Sequence, residues 1–353
     1  MMHRTKPAWN APRLARGLPV LACLALLCVL LLPPAAAAQD VELIGLRIAL
    51  PEGPSPRTLG YHLAEAEGAF AGVGIDPVFV PADERGPVAM LADGDVDLAI
   101  DIMPHALAAR EDGAKLLHVA QIFQKSGLLL ACKRPIETAN DLRGANVELW
   151  FNGQEGPFFA WMHKVGIGIY GEADGVTILR EAQDSAPYRS RRIDCFTTEN
   201  YLLPRQLTAE GKTPSDYHLF GFEELGTATL EDGLYARAED LADPDRVALF
   251  ARFLTGARQG WRSAAEEPRK ATEHLVGLLP QAEADLPTLI RGVWAVNDLV
   301  AVDDIEFGRL DPGAYDRTVT VLLTGAPNPT LQTAPLGATT DAVIQKLKPS
   351  CSV

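Results

Sequence analysis

The sequence predicts an α/β protein of two lobes with a cleft between them, and three observations carry that prediction. Short apolar runs rich in Val, Ile and Leu alternate with helix-like stretches, the rhythm of parallel strands joined by helical crossovers. The rhythm restarts after Asn140-Asp141-Leu142-Arg143-Gly144, and beyond Ala236 the chain turns mainly helical. Finally, 353 residues with 47% hydrophobic and 22% charged side chains exclude a disordered, collagen-like or disulfide-dense chain and can fill two cores.

In order along the chain, Leu43 to Leu50 reads as a strand, Leu59 to Ala66 as a helix that Gly68 stops, and Ile75 to Val80 as a second strand. Val88 to Leu91 is helical, Asp93-Gly94 turns the chain into a strand from Val96 to Ile100, and a helix from His105 to Arg110 follows Pro104. Leu116 to Ile122 and Leu128 to Cys132 are strands. The second unit opens with a strand from Asn146 to Phe151 and a helix from Pro157 to Val165. Strands over Val176 to Leu179 and Ile193 to Thr197 and a helix from Asn200 to Glu210 continue it, and it ends near Leu225. A strand from Leu230 to Ala236 leads into helices over Pro244 to Ala265, Arg269 to Leu279 and Leu286 to Asn297. The boundaries that follow are residues 39–132 plus 230–353 for a discontinuous first lobe and 133–229 for the second, inserted one.

Residues 1–38 stand apart. They hold Arg4, Lys6, Arg13 and Arg16 but no acidic residue, then the apolar run Leu18 to Leu32, Pro33-Pro34 and the small residues Ala35 to Ala38. This is the layout of a secretory signal peptide cleaved near Ala38, and the run is short of the roughly 20 residues that span a bilayer. A retained anchor is the competing reading. Export to the periplasm is expected. The formal net charge of −14 argues against nucleic acid or an anionic lipid surface as partner. Cys132, Cys195 and Cys351 follow the leader, an odd and sparse set that is no disulfide framework; whether Cys132 and Cys195 pair stays open. Gly166 to Gly171 has the spacing G-x-G-x-x-G, yet it follows a helix instead of a strand, so it reads as a helix-ending turn. Metalloprotease, Walker, C-x-x-C and G-x-S-x-G motifs are missing.

Several blocks carry a family resemblance: Glu65-Ala66-Glu67-Gly68-Ala69-Phe70, Leu91-Ala92-Asp93-Gly94-Asp95-Val96-Asp97-Leu98 and Met103-Pro104-His105-Ala106-Leu107 in the first half. Downstream they are Trp150-Phe151-Asn152-Gly153-Gln154-Glu155-Gly156-Pro157-Phe158 and Gly226-Thr227-Ala228-Thr229-Leu230-Glu231-Asp232-Gly233. Together they resemble the periplasmic solute-binding proteins of ABC importers in the alkanesulfonate-binding and thiamine-pyrimidine-synthase-like family. The resemblance implies a bilobal type II periplasmic-binding fold closing on one ligand, with a permease in the inner membrane and its ATPase as partners. One division of the family is an enzyme, a thiamine pyrimidine synthase with a pyridoxal-phosphate lysine, a histidine four residues later and a cysteine-rich iron motif. Here the lysine position resembles Asp101, the histidine is kept as His105, and the cysteine motif corresponds to Thr227 to Glu231, without cysteine. A Schiff base needs an amine and iron needs thiolates, so a non-enzymatic protein without cofactor or metal is expected.

Polar residues just after strands face the cleft in such sheets. Glu52 and Arg57 follow the first strand, with a solvated loop as the competing reading, favoured for Arg57. Asp101 and His105 follow the third, where a helix cap explains them equally. Trp150, Asn152 and Glu155 precede a helix opened by Pro157, with Trp161 upon it; this density of aromatic and amide groups suits a planar ring. Thr198, Glu199 and Asn200 match a family segment usually read Tyr-Asn-Glu, with the Glu/Asn order swapped. Glu231 is a ligand candidate that, with Asp232, reads alternatively as hinge. Carboxylates and amides favour N–H donors over a sulfonate or nitrate. The expected ligand is therefore a small heteroaromatic, vitamin-like molecule, a thiamine pyrimidine precursor before a flavin, captured by a monomer. Alternatives are the synthase, a binding protein for an alkanesulfonate or nitrate through Arg57, and a ligand sensor for a membrane kinase.

Overall fold

The computed structural model describes residues 43–169, 174–180, 192–303, 306–325 and 329–347. The proposed leader and its cleavage site, Cys351 and the end of the Gly166–Gly171 motif lie outside them. Described residues from Leu43 onward belong to one compact unit with two five-stranded sheets. The chain path opens with β1 (Ile44–Leu50), α1 (Leu59–Ala66), β2 (Ile75–Pro81), α2 (Pro87–Ala92), β3 (Leu98–Asp101), α3 (Met103–Glu111) and β4 (Leu116–Gln121). It then crosses into β5 (Leu128–Lys133), β6 (Asn146–Leu149), α4 (Gly156–Val165), β7 (Thr177–Arg180), β8 (Cys195–Glu199), α5 (Leu203–Ala209) and β9 (Tyr217–Gly221). It returns as β10 (Gly233–Arg237), followed by α6 (Pro244–Glu266), α7 (Pro268–Leu278), α8 (Leu286–Asn297) and α9 (Pro312–Thr324).

The strand orders are β2-β1-β3-β10-β4 and β7-β6-β8-β5-β9. β1 is parallel to β2 and β3, and β6 to β7 and β8, as the alternating rhythm predicts. The expectation of parallel strands fails at β10 and β5, each antiparallel to both its neighbours. These are the two strands that enter one sheet from the other: β5 directly from β4, and β10 from β9 through a single helical turn, Phe222–Leu225, instead of a full crossover helix. The first crossing falls between Gln121 and Leu128, ahead of the expected boundary at Cys132, because Leu128 to Lys133 is a strand of the second sheet.

Both faces of the first sheet are covered, so β1 buries consecutive residues. Leu46, Ile48 and Leu50 join Phe250, Phe253, Leu254 and Trp261 of α6 in one core, while Ala49 joins Val88, Leu91, Ala106 and Tyr235 in another. Helix α6 starts sharply because Pro244 fills its first turn and the Asp243 carboxylate accepts from the Asp245 N–H. It crosses α1 closely: a methyl group on Gly260 would lie 2.0 Å from the Gly60 carbonyl oxygen. The second sheet packs Leu128, Leu130, Val147 and Leu149 against Phe158, Trp161, Phe220 and Phe222. Cys132 and Cys195 pair across β5 and β8 and form a disulfide, which settles the open question of their pairing. Gly166 ends α4 in the left-handed conformation, φ +67°, the helix-ending turn expected of the glycine motif. The C-terminal helices touch both halves: α8 packs on α5, and α9 packs on both α3 and α4.

Candidate functional site

The C-terminal ends of β1, β3, β6 and β8 converge with the two crossings, and the charged groups gather there. Arg57 sits on a single helical turn, Pro56–Thr58, after β1. Its Nε lies 3.0 and 2.9 Å from the two carboxylate oxygens of Asp232, and its Nη2 also donates to Asp232. Asp232 is 1% exposed and Arg57 14%, so the pair is a buried, two-pronged ion pair. Burial opposes charge on Arg57, but Asp232 together with Tyr201 and Glu199 outweighs it and holds the guanidinium protonated. Glu52 accepts a hydrogen bond from the Ser55 hydroxyl in the same loop.

Glu199 ends β8 fully buried, and one of its oxygens accepts from Gln154 Nε2 at 3.1 Å. Burial raises its pKa, and Arg57, Tyr201 and Gln154 counter only part of that shift. Glu231 lies at the second crossing. Its Oε1 accepts from the Ser126 hydroxyl at 2.7 Å and the Leu128 N–H at 3.0 Å, both on the first crossing. Its Oε2 is buried with no hydrogen-bond partner. Burial, and then the charge of Glu199, push the Glu231 carboxyl up to about 8. One more buried polar atom nearby, Asn200 Oδ1, lacks a hydrogen bond, while the Tyr201 hydroxyl faces the Glu199 carboxylate. Burial and then the neighbouring Glu199 raise the Tyr201 pKa. Gln121 braces the crossings from below, its Nε2 donating to the Phe123, Glu231 and Asp232 carbonyls at 2.9, 3.0 and 3.3 Å.

A second cluster spans the two halves at their rim. Asp101, 3% exposed, accepts from the Ile102 N–H at 2.8 Å and the Val88 N–H at 3.2 Å, and lies 2.7 Å from His105 Nδ1. His105 Nε2 is 2.6 Å from the Asn152 carbonyl oxygen in the loop after β6. Both partners are acceptors, so a neutral ring can donate to one only and the imidazolium satisfies both. Burial works to lower the His105 pKa, yet Asp101 and the Asn152 carbonyl together raise it. Gly153 makes the approach feasible: its φ is +89°, and a Cβ there would stand 2.9 Å from the imidazole.

The structure thus brings Glu52, Arg57, Glu199, Asn200 and Glu231 to one junction and places Asp101, His105 and the Asn152 backbone at its rim. Other candidates point elsewhere. Thr198 is buried and donates to Gln206 Oε1 at 2.6 Å, tying β8 to α5. Glu155 accepts from the Gly153 N–H of its own loop at 3.0 Å, Trp150 leans on the second core, and Trp161 is buried within it. Sequence reasoning passed over Gln154, Tyr201, Ser126 and Gln121. Gln154 and Tyr201 directly adjoin named candidates, whereas Ser126 and Gln121 carry no local signal because their role depends on the crossing.

A family model described as NMT1/THI5 like matches residues 55–271, a span that includes both crossings, Arg57, Glu199 and Glu231. The chain belongs to the NMT1/THI5-like family. No curated protein matches it. Among solved structures, the alkanesulfonate-binding protein SsuA of Xanthomonas axonopodis pv. citri, bound to MOPS, is 14% identical with a TM-score of 0.62, covering 85% of this chain and 99% of that one. The periplasmic aliphatic sulphonate binding protein SsuA of Escherichia coli is 13% identical with a TM-score of 0.62, covering 87% and 92%. A ligand binding component of an ABC-type import system from Staphylococcus aureus, with zinc bound, is 11% identical with a TM-score of 0.58, covering 87% and 97%. This NMT1/THI5-like chain therefore has the bilobal periplasmic-binding fold that its sequence predicts.

Proposed function

We propose that the protein is the exported capture component of an ABC-type importer, a monomer that holds a small, vitamin-like heteroaromatic ligand at the junction of its lobes and presents it to a membrane permease. The observation that carries this reading is the grouping of buried acceptors without partners, Glu231 Oε2 and Asn200 Oδ1, where both sheets and both crossings meet. Orphaned buried polar atoms are rare, and a bound molecule that donates N–H groups gives them partners. Family membership supports the binding role, as do the sulphonate-binding and ABC-import assignments of the solved structures that share the fold. The Cys132–Cys195 disulfide supports export, since such bonds persist in oxidising compartments, and the basic-apolar leader with cleavage near Ala38 supplies the route. A thiamine precursor or a flavin fits the donor requirement. The synthase reading has less support, because Asp101 stands where that enzyme carries its lysine and is occupied by His105, Ile102 and Val88.

A thermal-shift panel of aminopyrimidines, thiamine, riboflavin, alkanesulfonates and nitrate tests the reading, since a ligand that binds only the folded state raises the melting temperature. A shift with one heteroaromatic compound is the expected result. Turnover with pyridoxal phosphate and iron, without any shift, would overturn it.

A further inference from the structure

We infer that the junction selects a monocation carrying at least two N–H donors, with Glu199 and Glu231 as the carboxylates that set this specificity. The inference rests on the capture reading and narrows it to a charge class. Three observations support it. Arg57, the cation among these groups, commits its Nε and Nη2 to Asp232, and the pair is neutral as a unit. Glu52, Glu199 and Glu231 form no ion pair with Lys or Arg among the described residues, so no side-chain cation sits in direct contact with them. The unpartnered atoms there are acceptors: Glu231 Oε2, on a residue only 3% exposed, and Asn200 Oδ1. An anion would meet these lone pairs and could draw only on the Arg57 N–H groups that Asp232 leaves free. A neutral ligand would leave one of the two buried carboxyls to be neutralised by a proton. An amidinium, a guanidinium, a protonated aminopyrimidine or a primary ammonium neutralises the pair and donates to both.

In the empty protein the repulsion is relieved by a proton. Glu231 faces Glu199, Arg57, Asp232 and Ser126; Glu199 faces Arg57, Tyr201, Gln154 and Glu52. Burial and this mutual repulsion keep a carboxyl protonated at neutral pH, so a bound cation replaces that proton and releases it to solvent. Affinity for the cation therefore rises with pH.

Isothermal titration of the purified protein tests this with the monocations benzamidine, thiamine, methylguanidine and 4-aminopyridine against methanesulfonate, nitrate and riboflavin. At least one cation should bind roughly ten- to a hundredfold more tightly at pH 8.5 than at pH 6, about one to two decades in Kd. Heats compared in phosphate and in Tris should show net proton release. The E231Q variant keeps an oxygen for Ser126 and Leu128; it should weaken the cation about tenfold or more and abolish both the pH dependence and the proton release. Should E231Q not fold, E199Q tests the same pair from β8. Binding of an anion or riboflavin in place of every cation would overturn the charge assignment and leave capture standing, as would unchanged cation affinity in both variants. Silence from every compound would overturn capture as well.

Discussion

Asp101 shows how one buried carboxylate can serve the backbone and a neighbour together. Its oxygens take the N–H groups of Val88 and Ile102 at the start of α2 and α3 and hold the His105 imidazole. Replacing it with asparagine keeps the shape but removes the anion that favours the imidazolium. In D101N the His105 pKa should fall, measured by NMR titration of its ring protons. The variant should lose about 1–3 kcal/mol of stability, the range for a weakened buried hydrogen-bond set. Position after a strand drew attention to Asp101, His105, Glu52 and Glu199 in the sequence, whereas the solvated loop favoured for Arg57 gives way to a buried pair with Asp232, a partner 175 residues away. Position misled at Thr198. The strand expected to stop at Thr197 runs on to Glu199, and alternation along a strand sends Thr198 to the face opposite Glu199, toward Gln206 on α5.

At the scale of elements, helix α6 organises the first core through its contact with α1. Gly60 lies under the Trp261 indole, and Gly260 lies against the Gly60 carbonyl and the Ala64 backbone nitrogen. Alanine at Gly260 would gain helix propensity of about 1 kcal/mol, but its methyl group has only backbone to push against. The two helices must separate, and overpacking of this kind costs about 1–3 kcal/mol or more. A net loss of stability is expected for G260A in thermal or urea denaturation; a gain would show that the helices part freely. Most elements were legible because their period or caps were strong, and two were not. β9, Tyr217–Gly221, is short and follows a Thr-Pro-Ser turn, so its pattern offered too few residues to count. α9, Pro312–Thr324, is rich in Thr and Val, residues that favour strands. What makes it a helix is the Asp311 carboxylate on the Ala314 N–H and the burial of Ala314, Thr318, Val321 and Leu322 on one face. That face exists only once the chain has folded back onto α3 and α4.

For the whole molecule, the buried titratable groups make stability a function of pH whose sign differs on the two sides of neutrality. His118, under β10 and bonded to Gln121 at 2.9 Å, has its pKa lowered to about 4, chiefly by burial. The unfolded chain binds that proton near pH 6.5, so acidification from 6.5 toward 4 destabilises the fold through His118. Glu231 acts in the opposite direction: folded, it keeps its proton up to about 8, while an unfolded glutamate loses it near 4.3. Its unfavourable contribution therefore builds as pH rises from roughly 4.3 to that folded value. His105, with its pKa raised in the fold, contributes stability that is complete below about 6.5 and is lost as pH rises through its folded value. Between about 4.3 and 6.5 His118 and Glu231 oppose each other. Above 6.5 His118 is neutral in both states, and Glu231 and His105 both act against the fold. The melting temperature of the ligand-free protein should thus fall from pH 6.5 to pH 8.5, and calorimetry across that interval checks it. E231Q should flatten most of the decline. H105A should remove the part that belongs to His105, which Asp101 chiefly holds protonated and whose contact with the Asn152 carbonyl joins the two halves at their rim. If that contact governs closure, the wild-type protein should also grow more open in small-angle scattering as pH rises, while H105A keeps one radius of gyration throughout.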